Sequence, residues 1–143
     1  MPYLRAAIKK SLRLHPAMPL LVPYISTKSC SIDGIAVPMK VRVVINVWAI
    51  GRDERFWEEM EEFVPERFID SGSAAEIDFK GNNFRFLPFD SGRRMCPEMN
   101  FVLANIEVML ANLIHRFDWE LPLGQESHDI DMTEVFRIVV HQK

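Results

Sequence analysis

The sequence predicts a mostly helical α+β domain, and three patterns carry that reading. From Pro97 to His115, the residues Met99, Val102, Leu103, Ile106, Val108, Met109, Leu110 and Leu113 give a long helix a broad apolar face. β-Branched residues gather on both sides of Asp33-Gly34 and again over Val41 to Trp48, as in a hairpin or small sheet. Nine prolines and six glycines punctuate the remainder, with neither a repeat nor a linker, so residues 1–143 read as part of one domain.

Taken in order, Tyr3 to Leu14 is a helix, with Leu4, Ile8, Ser11 and Leu12 at helical spacing and Pro16 stopping it. Leu20 to Tyr24, held between Pro19 and Pro23, is expected to be extended, because proline excludes the helical region for the residue before it. Ser31 to Val37 turns at Asp33-Gly34, and Val41 to Trp48 supplies a further strand. A short helix is expected over Glu54 to Met60, ended by the Pro65 segment, and Ser71 to Asn83 is loop. After the long helix, Phe117 to Leu121 and Val135 to His141 carry strand composition.

Composition bounds the partners more than the chemistry. At 143 residues, 48% hydrophobic and a net charge of -3, the chain has single-domain size and too little positive charge to favour nucleic acid. No apolar run reaches membrane-spanning length, and Met1-Pro2-Tyr3 leads directly into a helix, so neither a signal peptide nor an anchor is expected within this chain. Cys30 and Cys96 would make one disulfide by counting alone, but without a secretory signal both are expected reduced, Cys30 as an inert thiol. His15, His115, His128 and His141 share no metal-ligand spacing.

The chemical signal is Phe89-Asp90-Ser91-Gly92-Arg93-Arg94-Met95-Cys96-Pro97-Glu98. It presents one cysteine on a bend, beside two arginines and before a helix N-terminus, surroundings that favour thiolate, the form in which cysteine binds metal. On this window alone, a buried cysteine ahead of an ordinary core helix explains the pattern equally well.

This loop resembles the haem-binding loop of the cytochrome P-450 monooxygenases, Phe-x-x-Gly-x-Arg-x-Cys-x-Gly, with Phe89, Gly92, Arg94 and Cys96 matching and Glu98 replacing the final Gly. Pro65-Glu66-Arg67-Phe68 resembles a second segment of that family, and Leu12-Arg13-Leu14-His15-Pro16 resembles the end of its Glu-x-x-Arg helix, in the family's order. The wording is closest to the plant microsomal branch. The resemblance implies the C-terminal portion of a single cytochrome P-450 domain over residues 1–143, and haem b with Cys96 as axial thiolate and metal ligand. It places Arg94 against a propionate and Phe89 beside the sulfur. It further implies an NADPH-dependent flavoprotein reductase as partner and a hydrophobic small molecule as substrate, bordered by Leu20, Leu21, Val22 and Phe136. The full-length family resides in the endoplasmic reticulum membrane.

Several positions depart from that pattern. Lys10 stands where the family has the Glu that joins the two arginines, here Arg13 and Arg67, so the network would hold three positive charges and no carboxylate. Alternatively Lys10 turns to solvent with Lys9. Asp90 and Glu98 occupy glycine positions, which serve a positive φ or a close approach. Tyr24 stands where many relatives carry Arg or His toward a propionate, and Arg137 stands near a Gly position. Two functional readings follow. One is a haem-thiolate monooxygenase portion that oxidises a hydrophobic molecule with one atom of O2. The other is an inactive remnant with weak or no haem binding and an interaction role. By itself the chain is expected to be inactive, because the family's oxygen-activating helix is not within it.

Overall fold

The computed structural model describes residues 1–126, 129–131, 134–135 and 141–142. Helix α1 spans Pro2–Leu14, with Pro2 in its first turn, where the missing N–H is not needed. Its inward face runs through Ala6, Lys10, Arg13 and Leu14, spaced four, seven and eight residues from the first, with Ile8 beside them. That face packs on the 3-10 turn Pro65–Phe68, on helix α2 (Val47–Gly51) and on helix α3 (Met99–Arg116).

Among the described residues, sheet structure is confined to three short antiparallel ribbons. Strands β2 (Cys30–Ile32) and β3 (Ile35–Val37) form the hairpin expected around Asp33-Gly34, both of whose turn residues have positive φ. Strand β1 (Tyr24–Ile25) pairs with β4 (Arg42–Val43) in the register Tyr24↔Val43, and β5 (Glu134–Val135) pairs with β6 (His141–Gln142).

The core is a file of aromatic rings beneath α1. Trp57 meets Phe68 at 5.9 Å, Phe68 meets Phe86 at 5.7 Å, and Phe86 meets Phe79 at 5.9 Å, all tilted. Phe79 then reaches Phe89 edge-on at 6.2 Å. Met99 and Leu103 close this cluster from α3. The file matters because it runs from the underside of α1 to the first residue of the cysteine loop.

Five sequence expectations differ from the structure. Leu20 to Tyr24 is not a continuous extended segment: Pro19 and Leu20 form a turn, Leu21 takes φ +50, and only Tyr24–Ile25 pairs. Val41 to Trp48 is a strand only at Arg42–Val43, because Asn46 caps the helix that begins at Val47, its side chain accepting the Ala49 N–H at 3.0 Å. Glu54 to Met60 is a run of turns, with helix placed earlier at Val47–Gly51. Phe117 to Leu121 is not a strand, and α3 starts at Met99 with Pro97-Glu98 in a turn ahead of it. Of Val135 to His141, the pairing of Val135 with His141 is described; Phe136 and Arg137 lie outside the described residues.

Candidate functional site

The cysteine loop is closed by backbone bonds before any side chain is considered. Cys96 N–H donates to the Phe89 carbonyl at 2.9 Å, and Met95 N–H donates to the Gly92 carbonyl at 3.2 Å across the 3-10 turn Gly92–Arg94. Gly92 takes φ +61 with nothing within 4 Å of the place a Cβ would occupy, so glycine is there for its backbone alone. The Cys96 carbonyl accepts the Met99 N–H at 3.4 Å, which joins the loop to the start of α3.

These bonds turn Phe89, Arg94 and Cys96 toward a cavity of about 430 Å³. Its opposite wall is Ala17, Met18, Leu21, Val22 and Pro23. Cys96 is half-buried there, whereas Cys30 is exposed on β2. Of the residues singled out in the sequence, Phe89, Arg94, Cys96, Leu21 and Val22 therefore share one space. Gly92 shapes it from outside, and Leu20 does not line it. Leu21 is buried against Val47 and Leu87, which fixes that wall to α2.

Two wall residues, Tyr24 and Asp90, which the sequence marks only as separate departures from the family pattern, are bonded to each other. Tyr24 donates its hydroxyl to the Asp90 carboxylate, and the other Asp90 oxygen accepts the Ser91 N–H at 2.7 Å. Burial first, and then the bond to Asp90, push the Tyr24 phenol up to about 12. Asp90 holds φ +65, so the backbone here does adopt the conformation that a glycine would supply without strain. Glu98, the other residue at a glycine position, has φ -87 and is exposed, so no such conformation is required of it. Behind the loop, Gly81 takes φ +68, and a Cβ on it would lie 2.5 Å from the Asp90 carbonyl oxygen. That is a direct backbone support whose only sequence signal is a glycine ahead of two asparagines.

The second constellation lies under α1. Lys10 is 0% exposed and Arg13 2%, so Lys10 does not turn to solvent. Arg13 donates to the carbonyls of Gly51 and Met60 and lies 4.9 Å over the Trp57 ring. Arg67 reaches Glu59 at 3.3 Å at the rim. Burial, reinforced by the charges of Arg13 and Arg67, lowers the Lys10 ammonium to about 8, and burial with Arg67 and Arg52 lowers Arg13 to about 10.

A family model described as Cytochrome P450 matches residues 1–143. The chain belongs to the cytochrome P450 family. It is 52% identical over 140 residues to indole-2-monooxygenase of Zea mays, covering 98% of this chain and 26% of that one. To Indolin-2-one monooxygenase of Zea mays it is 50% identical over 143 residues, covering 100% and 26%. To premnaspirodiene oxygenase of Hyoscyamus muticus it is 46% identical, covering 99% and 27%. It thus spans about a quarter of the length of the curated cytochrome P450 relatives it matches. A solved structure, cyanobacterial CYP120A1 with retinoic acid bound, superposes with a TM-score of 0.83 at 27% identity, over 100% of this chain and 31% of that one.

The fold is accordingly part of the cytochrome P450 fold, a family of haem-thiolate monooxygenases whose haem iron is held by a cysteine thiolate. The cavity residues suit that group: a half-buried soft sulfur, a guanidinium for a carboxylate, and otherwise largely apolar lining. Among the described residues, no helix is long and apolar enough to cross a membrane.

Proposed function

We propose that residues 1–143 are the C-terminal, thiolate-side portion of a single cytochrome P450 domain that oxygenates a hydrophobic small molecule. The observation that carries this reading is the convergence of Cys96, Arg94 and Phe89 with Leu21 and Val22 on one cavity. When bound there, haem supplies the oxygen chemistry. The protein's own part is to hold and shield it. Cys96 would hold the iron, with its sulfur kept in place by the Phe89–Cys96 backbone bond. Arg94 would pair with a propionate as a charge-assisted donor. Phe89, fixed edge-on to Phe79, would keep water from the sulfur. Leu21 and Val22 would border an apolar substrate, with electrons arriving from an NADPH-dependent flavoprotein reductase at the endoplasmic reticulum membrane.

Asp90 and Lys10 support a second reading, in which this chain holds haem weakly. The Asp90 carboxylate lies in the cavity wall, and Lys10 is buried among arginines. A chimera distinguishes the two readings. Residues 1–143 replace the matching segment of maize indole-2-monooxygenase, and the protein is supplied with reductase, NADPH and apolar test compounds. Oxygenated product that is lost in Cys96→Ala, and whose pattern changes in Val22→Phe, supports the monooxygenase reading. A folded chimera that forms no product refutes it.

A further inference from the structure

Of the six glycines, Gly51, Gly72 and Gly81 leave no room for a Cβ, and of these only Gly81 is also at positive φ. A Cβ on Gly51 would meet the Arg13 carbonyl, and one on Gly72 the carbonyls of Glu66 and Arg67. Gly81, which is buried, faces the cysteine loop instead. Its Cβ would lie 2.5 Å from the Asp90 carbonyl oxygen, 2.8 Å from Ser91 Cβ and 3.0 Å from Ser91 Cα, where such contacts settle at about 3.5 Å or beyond. The segment that carries Gly81 is anchored in the core. Ile77 and Phe79 are buried, Lys9 of α1 donates to the Ile77 carbonyl, and the Lys80 N–H donates to the Asp78 carboxylate at 2.9 Å. From that anchor the segment touches the loop twice, through the Phe79 ring on Phe89 and the Gly81 backbone on Asp90 and Ser91. Three consecutive loop residues are thereby set from one side, while the Tyr24 hydroxyl holds the Asp90 side chain from the cavity. The first of the three, Phe89, carries the carbonyl that receives the Cys96 N–H.

We propose that Gly81 is a positioning residue for the Cys96 thiolate: its bare backbone lets Asp90 and Ser91 seat against residues 77–81, and so fixes the Phe89 carbonyl that holds Cys96. Gly81 lines neither the cavity nor the sulfur and acts only through the loop. A methyl group here would push the Asp90–Ser91 backbone outward and carry the acceptor of the Cys96 N–H with it. Displacements on the order of 1 Å are enough to cost a reacting group most of its effect. For its consequence at the iron this rests on the monooxygenase reading, whereas the closure of the loop does not depend on haem.

Amide hydrogen exchange of the haem-free 143-residue chain reads that closure. In Gly81→Ala the Cys96 N–H is expected to exchange roughly tenfold faster than in the parent, while the His15 N–H, bonded to the Ser11 carbonyl at 2.7 Å on α1, keeps its rate. Gly34→Ala adds comparable strain at φ +80 with nothing within 4 Å of the new Cβ, and should leave both rates unchanged. Should Gly81→Ala not fold, Ser91→Val crowds the same contact from the loop side and is expected to give the same local acceleration. A parent rate at Cys96 in the folded variant, an equal acceleration at His15, or the same acceleration in Gly34→Ala would each overturn the proposal. In the reduced, carbon monoxide-treated chimera, Gly81→Ala is expected to convert part of the red-shifted band to an unshifted one at equal haem content, and an unaltered share would also overturn it. A parent chimera without the red-shifted band would refute the monooxygenase reading and leave the exchange rates to decide the positioning.

Discussion

The Tyr24 hydroxyl donates to the Asp90 carboxylate, tying strand β1 to the cysteine loop across 66 residues of sequence. The bond places a carboxylate in the cavity wall beside Arg94, the residue proposed to receive a propionate. Both Asp90 oxygens already have partners, the Tyr24 hydroxyl and the Ser91 N–H, so the residue sets a fixed negative charge in the wall of the space proposed for an anionic cofactor.

Replacing Asp90 with glycine is expected to tighten haem binding roughly tenfold, about 1.4 kcal/mol, by removing a negative charge from the wall and the strain of φ +65. Titration of haem into parent and Asp90→Gly chains measures it. Unchanged or weaker affinity would show that the Tyr24–Asp90 bond supports the cavity more than the Asp90 charge opposes the cofactor.

The same pair is visible by titration. Burial and the Asp90 bond together hold the Tyr24 phenol at about 12, so Asp90→Asn, which removes the charge and keeps the shape, should lower it part of the way to the ordinary value. The burial contribution should remain. Phenolate absorbance has only Tyr3 and Tyr24 to resolve. A Tyr24 transition that does not move would mean that the bond does not persist in solution.

Lys10 makes stability depend on pH in a defined direction. Its folded-state value of about 8 lies below the ordinary 10.5, so between those values the unfolded chain binds the proton and the folded chain does not. Stability therefore rises with pH across that window. Below it, the buried charge costs roughly 3 kcal/mol relative to high pH. Lys10→Met should flatten this rise, and Lys10→Glu should raise stability at neutral pH by placing a carboxylate between Arg13 and Arg67. Denaturant unfolding at stepped pH measures both. A parent chain whose stability falls steadily through the window would contradict the burial of a charged Lys10.

Helix α3 presents Phe101, Val108, Met109 and Ile114 to solvent at 61–67% exposure, and Trp119 follows at 71%. Apolar surface of this extent promotes association. The 143-residue chain is expected to self-associate with rising concentration, and the pair Val108→Glu with Met109→Lys to shift it toward monomer. Light scattering across a dilution series decides this; a monomeric parent at high concentration would contradict it.

What could be read in the sequence followed the strength of local signals. The Asp33-Gly34 hairpin and the α1 and α3 helices were legible because turn chemistry and periodicity act over a few residues, whereas Phe89, Arg94 and Cys96 are singled out by resemblance to the family's loop pattern and line one cavity. The Glu54 to Met60 helix was misplaced because the Asn46 cap, a single side-chain bond, outweighed composition in starting a helix earlier. The flanking prolines predict an extended Leu21, yet it is buried against Val47 and Leu87 at positive φ. Lys9 and Lys10 looked alike in sequence. Register on α1 turns Lys10 inward with Ala6 and Arg13, while Lys9 bonds the Ile77 carbonyl at the edge of the aromatic file. The Tyr24–Asp90 bond and the Gly81 support join residues far apart or silent in pattern, and only the folded chain shows them.

The claim on which the account rests is that Cys96 is the axial ligand of a haem held against this cavity. The most direct measurement is the absorption spectrum of the reduced, carbon monoxide-treated chimera carrying residues 1–143, compared with its Cys96→Ala form. The strongly red-shifted Soret band of thiolate ligation is expected in the first and its loss in the second. A haem-loaded protein whose band is unshifted, or whose band survives Cys96→Ala, would contradict it.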